Sequence, residues 1–401
     1  MTDARSLLTR HGVISRRERQ RRDEQLVRSL PYPQAAWQRW MLRVAFMVPG
    51  FVVISLGVSG GIGDVSPNAL VLDRVEGLDW SRADSVWLSQ LYPHISTVIA
   101  AAVAPLGATG LALAGVVMVG FLLQSVLQIL HQRAVGIPFG TGIMLALAAT
   151  PLFFYLANEN LPTFLAIAFF GMALADVQRF VTWGNTGSGF RAGLLLAASA
   201  LSDPSGILLL VIAVIASPFL RAGRWRTAGL RAANALVLAF PTLATLATLV
   251  MLNLAFFRVL WPIDLGDWAD GIPDRAEALS AIYTQSPASG LFVAGPVVVA
   301  ILVALIVRRP AAALVAIVVF GLINAAFVLG LLGTGAAGTT YLLMTLLAVT
   351  LMPTGRSVIQ NSLLTALSVV QLALGWAIAF DRPLVREWMH AVTEAVTSLA
   401  A

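Results

Sequence analysis

The chain has 401 residues, of which 58% are hydrophobic and only 11% charged. Soluble domains carry about 45–50% apolar and about 25% charged residues, so this composition excludes a soluble globular protein and predicts an all-α, polytopic membrane protein. All 26 basic residues are arginine and cysteine is absent, which removes disulfides, zinc–thiolate sites, iron–sulfur clusters and thiol nucleophiles. A net charge of +6 would suggest nucleic acid in a soluble chain; here it first raises the question of sides.

Residues 1–39 read as a basic cytoplasmic tail, with Arg16, Arg17, Arg19, Arg21 and Arg22 close together. A cleaved signal peptide would show a short basic region and an apolar stretch of about 7–15 residues. The apolar run that follows here is longer than 20 residues, as in an uncleaved signal-anchor. Arg10–Arg28 reads either as a basic helix on an anionic leaflet or as a disordered tail that only enforces topology.

A span needs roughly 20 mostly apolar residues. Eleven stretches qualify within the transmembrane domain, residues 40–380: Trp40–Ile62, Ala108–Leu130, Ile137–Ala157, Leu161–Phe180, Gly189–Leu201, Ser205–Leu220, Ala232–Phe257, Gly290–Val307, Ala311–Leu332, Tyr341–Met352 and Val358–Phe380. The fifth and tenth are short. Pro93–Pro105 is too short to span and suits an interfacial or re-entrant helix. Beyond the last span, residues 381–401 form an outer amphipathic helix: Val385, Trp388, Met389, Val392, Val396 and Leu399 share one face, and Pro383 suits a first helical turn.

Arginine placement orients the spans. With the N-terminus cytoplasmic and the C-terminus outside, 20 of the 26 arginines fall inside, while 15 of the 20 acids fall outside. The membrane expected is the cell inner (plasma) membrane. The outer loops are residues 63–107 and 258–289. Their acids are either solvated loop charges or the polar groups of an active or metal site; Asp73, Glu76, Asp79 and Asp84 read as solvated charges.

The spans carry almost no charge at mid-membrane, where ion-coupled transporters and pumps hold ionisable groups. Gln124, Gln128, Asn253, Asn324, Gln360, Asn361 and Gln371 read as interhelical hydrogen-bonding groups. The glycine-rich Gly333–Thr340 lacks the lysine of a phosphate-binding loop. The four histidines, His11, His94, His131 and His390, are too far apart in sequence for a close-spaced metal motif. What remains is the long loop Gly63–Tyr92, which opens with Asp64. A carboxylate at a membrane interface beside apolar walls can serve as a general base, because desolvation raises its pKa.

The order of motifs resembles that of GT-C superfamily membrane glycosyltransferases, which include protein O-mannosyltransferases, aminoarabinose transferases and oligosaccharyltransferases. Asp64 occupies the place of their acidic residue after the first span. Tyr92-Pro93-His94-Ile95 is similar to their Pro-rich helix start. Thr150-Pro151-Leu152-Phe153-Phe154-Tyr155, followed by Asn158-Glu159-Asn160, is similar to their next outer turn. Leu201-Ser202-Asp203-Pro204-Ser205-Gly206 is similar to a third turn. The similarity covers about residues 40–220.

The resemblance implies a polyprenyl-phosphate sugar as donor and transfer to an outer-face acceptor of the cell envelope. In that scheme Asp64 is the general base. Tyr92, His94, Arg258 and Arg275 bind the donor phosphate or substrate. Glu159 and Asp203 bind sugar or a divalent metal. For Arg258 and Arg275 the competing expectation is pairing with Asp264, Asp267, Asp270 or Asp274. Asp64 is followed by Val65 instead of the frequent second acid, which keeps a non-catalytic GT-C-like scaffold or assembly subunit with a membrane protein partner open; a lipid or small-molecule transporter is a third, separate class. The partners expected are membrane lipids and the polyprenyl-phosphate-linked sugar, with no nucleic acid.

Overall fold

A computed structural model describes residues 30–57, 66–79, 91–219, 228–258, 265–284, 287–332, 338–351 and 357–400. Asp64, most of the basic tail and the glycine-rich 333–337 lie outside them. The described residues form seventeen α-helices and no strands. In chain order they are α1 (Ala36–Ser55), α2 (Pro67–Glu76), α3 (His94–Val103), α4 (Gly107–Gln132), α5 (Ile137–Ala148), α6 (Pro151–Glu159), α7 (Leu161–Trp183), α8 (Thr186–Ser202) and α9 (Ser205–Ala216). They continue as α10 (Ala228–Phe257), α11 (Leu265–Asp270), α12 (Ile272–Thr284), α13 (Pro287–Ile306), α14 (Pro310–Val328), α15 (Thr339–Leu351), α16 (Val358–Asp381) and α17 (Pro383–Ala400).

Proline and short polar caps punctuate the chain. Proline stands in the first turn of α2, α5, α6, α7 and α14, where its missing N–H costs nothing. Ser66, Asn160, Asn185 and Ser357 each cap a helix by accepting a backbone N–H three residues on, which satisfies one of the donors that a helix start leaves open. Gly184 ends α7 in the left-handed conformation, φ 70°, which glycine adopts without a Cβ penalty.

Six helical stretches among the described residues are long and apolar enough to cross a membrane: His94–Gln132, Leu161–Trp183, Ala232–Phe256, Ala288–Ile306, Pro310–Val328 and Val358–Asp381. The pair α5 and α6, bent by 45° at their junction, makes a seventh if counted as one span. Two shorter apolar helices, Ser205–Phe219 and Thr339–Val349, stand where the sixth and tenth predicted spans lie. Trp37, Met41, Leu236, Phe240, Met251, Leu291, Leu302 and Ile317 are all exposed. So much apolar surface is not sustained in water; the chain is a helical membrane protein.

The first stretch is not one straight rod. A Cβ on Gly110 would come 2.8 Å from both the Cβ and the carbonyl of Val103. Seven residues along a straight helix lie about 10 Å apart, so the chain turns sharply at the 3₁₀ segment Ala104–Leu106. The 13-residue apolar stretch is therefore a separate helix, α3, packed on α2 and α8. The long loop Gly63–Tyr92 likewise contains a helix, α2.

Helix α7 forms the centre, with 83% of its spanning window buried, against 17% for α10 at the periphery. Around α7 stand α4, α6, α8, α9 and α15. A Cβ on Gly115 of α4 would overlap the Ala157 carbonyl of α6, so only glycine permits that approach. Tyr341 ties three helices: its hydroxyl meets the Ala146 carbonyl of α5 and the Gln371 carbonyl of α16. Most of the intramembrane amides do bond between elements: Gln124 with Arg43 and the Tyr32 carbonyl, Asn324 with Tyr283, Gln360 with the Ile306 carbonyl, and Gln371 with Thr345. Helix α17 folds back onto α6 and α16, burying Val385 and Trp388, with Trp388 edge-on to Tyr155.

Candidate functional site

Two polar clusters mark the two ends of α7. The first lies at its start and draws together the three turns singled out in the sequence. Asn68, in the first turn of α2, is fully buried. Its Nδ2 donates to the Asn158 carbonyl at 2.7 Å, and its Oδ1 accepts from the Leu161 N–H at 2.8 Å. The segment that begins two residues beyond Asp64 is thereby clamped to the Glu159–Asn160 corner. Glu159 itself is fully buried there.

The second turn of this cluster is Ser202–Gly206. Asp203 joins α8 to α9: its Oδ1 accepts from the Ser205 N–H at 2.8 Å, and Thr163 of α7 donates its hydroxyl to Oδ2 at 3.3 Å. A Cβ on Gly206 would stand 2.3 Å from the Ser199 carbonyl, so this tight turn requires glycine. Burial raises the Asp203 carboxyl above the ordinary carboxylate value, and the bonds from Ser205 and Thr163 offset only part of that.

The third turn is Tyr92–His94. Pro93 precedes α3, and its carbonyl accepts from the hydroxyls of Ser96 and Thr97. Tyr92 donates its hydroxyl to the Ala200 carbonyl of α8 at 3.2 Å and meets His94 edge-on at 5.8 Å. Burial, with the charge of Asp203 nearby, holds the Tyr92 phenol far above its usual range. It is therefore a neutral O–H group.

Of the predicted arginines, Arg275 bonds groups outside these three turns. Arg275 donates Nε to the Val328 carbonyl at 2.8 Å and Nη2 to the Trp268 carbonyl at 2.6 Å. It closes the end of α14, and no described Asp is bonded to it. Arg258 follows α10 in a left-handed conformation, φ 57°, with its side chain exposed. Among the described residues, no three His, Asp or Glu side chains gather as a metal-holding group. At this end Glu159 and Asp203 are the candidate ligands, and both Asp203 oxygens already accept protein hydrogen bonds. These residues do not make a metal site by themselves.

No known protein family, curated protein or solved structure matches the chain.

Asn68 and Thr163 did not stand out in the sequence, although both hold the cluster together. Ser66-Pro67 is a helix-start signal, and would have placed Asn68 in a first helical turn instead of a loop. The hydroxyl of Thr163 carries no sequence signal, because its partner lies 40 residues away.

At the opposite end of α7, Asp176 accepts from Arg179 Nη1 at 3.2 Å and from Arg191 Nη2 at 3.0 Å. Arg133, at the end of α4, donates to Gln178 Oε1 at 2.6 Å, and Gln178 donates to Thr182. Burial and the charge of Arg309 pull the Arg133 guanidinium down from its usual range.

Proposed function

We propose that the chain is a membrane glycosyltransferase that moves a sugar from a polyprenyl-phosphate donor to an outer-face acceptor of the cell envelope. In this reading all eleven apolar segments cross the plasma membrane, with the N-terminus in the cytoplasm, the C-terminus outside, and the Asp203 end of α7 facing outward. The observation that carries it is the convergence of three separated turns, at Tyr92–His94, Asn158–Asn160 and Ser202–Gly206, on the start of α7. There Asn68 also fastens the segment that follows Asp64. A transferase of this kind needs such a gathering of polar groups at a membrane interface.

The chemistry follows from the groups present. Asp64 takes the proton of an acceptor hydroxyl as its oxygen attacks the anomeric carbon. The bond from that carbon to the phosphate oxygen breaks, and polyprenyl phosphate leaves. His94 bonds the leaving phosphate, and Tyr92 joins it only by turning its single hydroxyl proton away from the Ala200 carbonyl. Glu159 and Asp203 serve sugar hydroxyls. A divalent metal would need ligands beyond Glu159 and Asp203, so no step is assigned to one. Arg275, held by two carbonyls, is a weaker candidate for the phosphate than it is in sequence.

The test is transfer of labelled sugar from a polyprenyl-phosphate donor to a cell-envelope acceptor fraction by the full chain in liposomes. Wild type should transfer label and Asp64→Asn should not, at equal expression. Undiminished transfer by Asp64→Asn removes Asp64 as the base. Donor flux across the liposome without a covalent product would establish a transporter. Absence of both, with a membrane protein that copurifies equally with wild type and Asp64→Asn, would establish a scaffold.

A further inference from the structure

The cluster at the other end of α7 is not used by the proposed transfer. Its two arginines are held in fixed positions. Arg179 is 13% exposed at its side chain; it bonds Asp176, and its Nε and Nη2 face the side-chain amide of Gln128. Arg191 shares the same Asp176 oxygen and also donates to Ser188 Oγ at 3.2 Å. Both of those bonds use Nη2. Among the described residues, Nε and Nη1 of Arg191 donate to nothing, and its side chain is 58% exposed. One carboxylate thus orients two guanidiniums, and the donors of the outer one point away from it. Arg133 and Arg309 add positive charge at the same end.

The surroundings identify the ligand's source. Phe190 and Leu194, 53% and 48% exposed, share one face of α8 at i,i+4, and Leu194 adjoins Arg191 at i,i+3. In a membrane protein such a stripe meets acyl chains. The free edge of Arg191 therefore opens where a lipid-facing surface ends, at headgroup level. Guanidinium N–H groups match phosphate oxygens in geometry and charge, and basic pockets between spans at the arginine-rich side are suited to anionic headgroups.

We propose that the Arg179–Asp176–Arg191 cluster binds the phosphate of an anionic membrane lipid. The lipid phosphate completes the donors of Arg191, while its acyl chains lie along Phe190 and Leu194. Asp176 acts as the positioning group that keeps both guanidiniums in register.

The experiment uses the full chain in mixed micelles of phosphatidylglycerol and phosphatidylcholine, with retained lipid counted by native mass spectrometry. Wild type should retain phosphatidylglycerol preferentially. Arg191→Gln, at a half-exposed side chain that folding tolerates, should lower that retention about fivefold, the worth of one arginine near an anionic surface. Arg191→Gln combined with Arg179→Gln should remove the preference. Arg386→Gln, an equal charge change on α17, should leave it intact. Wild-type retention by Arg191→Gln overturns the site. An equal loss in Arg386→Gln also overturns it, because only total charge would matter. If millimolar inorganic phosphate displaces the lipid, the site takes soluble phosphate and the lipid assignment fails.

Discussion

Asn68 and Asn158, 90 positions apart, meet at 2.7 Å, and the same Asn68 side chain caps the Leu161 N–H at the start of α7. One amide thus fastens α2 to the corner between α6 and α7. Asn68→Ala would leave a buried carbonyl and a buried N–H without their partner. At about 1–3 kcal/mol for each unsatisfied group, the variant should unfold at a clearly lower temperature in detergent and lose sugar transfer with it. A thermal midpoint unchanged in Asn68→Ala would show that the clamp contributes nothing.

Asp203 makes stability depend on pH. Burial raises its folded-state carboxyl above the ordinary 3.8, so the folded chain holds the proton more tightly than the unfolded chain. Its contribution is fully present below the ordinary value and is lost as pH rises through the raised one. Thermal midpoints of wild type should therefore fall as pH is raised from about 4, the ordinary carboxylate range. Asp203→Asn should flatten that part of the profile. Identical profiles in the two proteins would exclude Asp203 as the titrating group.

Gly206→Ala should disturb the same turn by sterics alone. The added Cβ would lie 2.3 Å from the Ser199 carbonyl, which forces α8 and α9 apart. Overpacking of this sort costs about 1–3 kcal/mol, read as a drop in unfolding midpoint. Gly57→Ala is a useful contrast, because a Cβ there meets nothing within 4 Å; its smaller penalty comes only from its left-handed backbone.

Arg275→Ala should lower stability by about 1–3 kcal/mol, because the carbonyls of Val328 and Trp268 lose a charged donor. Donor affinity, measured as the KM for polyprenyl-phosphate sugar, should not change. A rise in KM without loss of stability would restore Arg275 to phosphate binding.

The membrane character and most helix positions were legible because apolar composition and length dominate both. Pro383 marks a first helical turn, as the sequence suggests. The helix within Pro93–Pro105 was legible as an apolar run too short to span. Two things were not. The loop Gly63–Tyr92 hides α2, since a ten-residue helix with mixed polarity gives little periodic signal. Arg275 has five acids within eleven residues yet bonds backbone carbonyls, because its partners are fixed by how α12 lies on α14. The convergence of the three turns on α7 is a tertiary fact that no local pattern contains.

A single residue, Asn160, connects the end of α6 to the start of α7. Thr163 lies in the first turn of α7 and Arg179 in the turn before its last. At 1.5 Å per residue, 23 residues make a rod of about 34 Å, rigid enough to transmit an axial displacement from one end to the other. A rod of this length joins the Asp203 turn to the Arg191 cluster, so the two are expected to be coupled. A double-mutant cycle of Thr163→Val with Arg191→Gln would measure that coupling, and strict additivity of the two would show that the rod does not carry it.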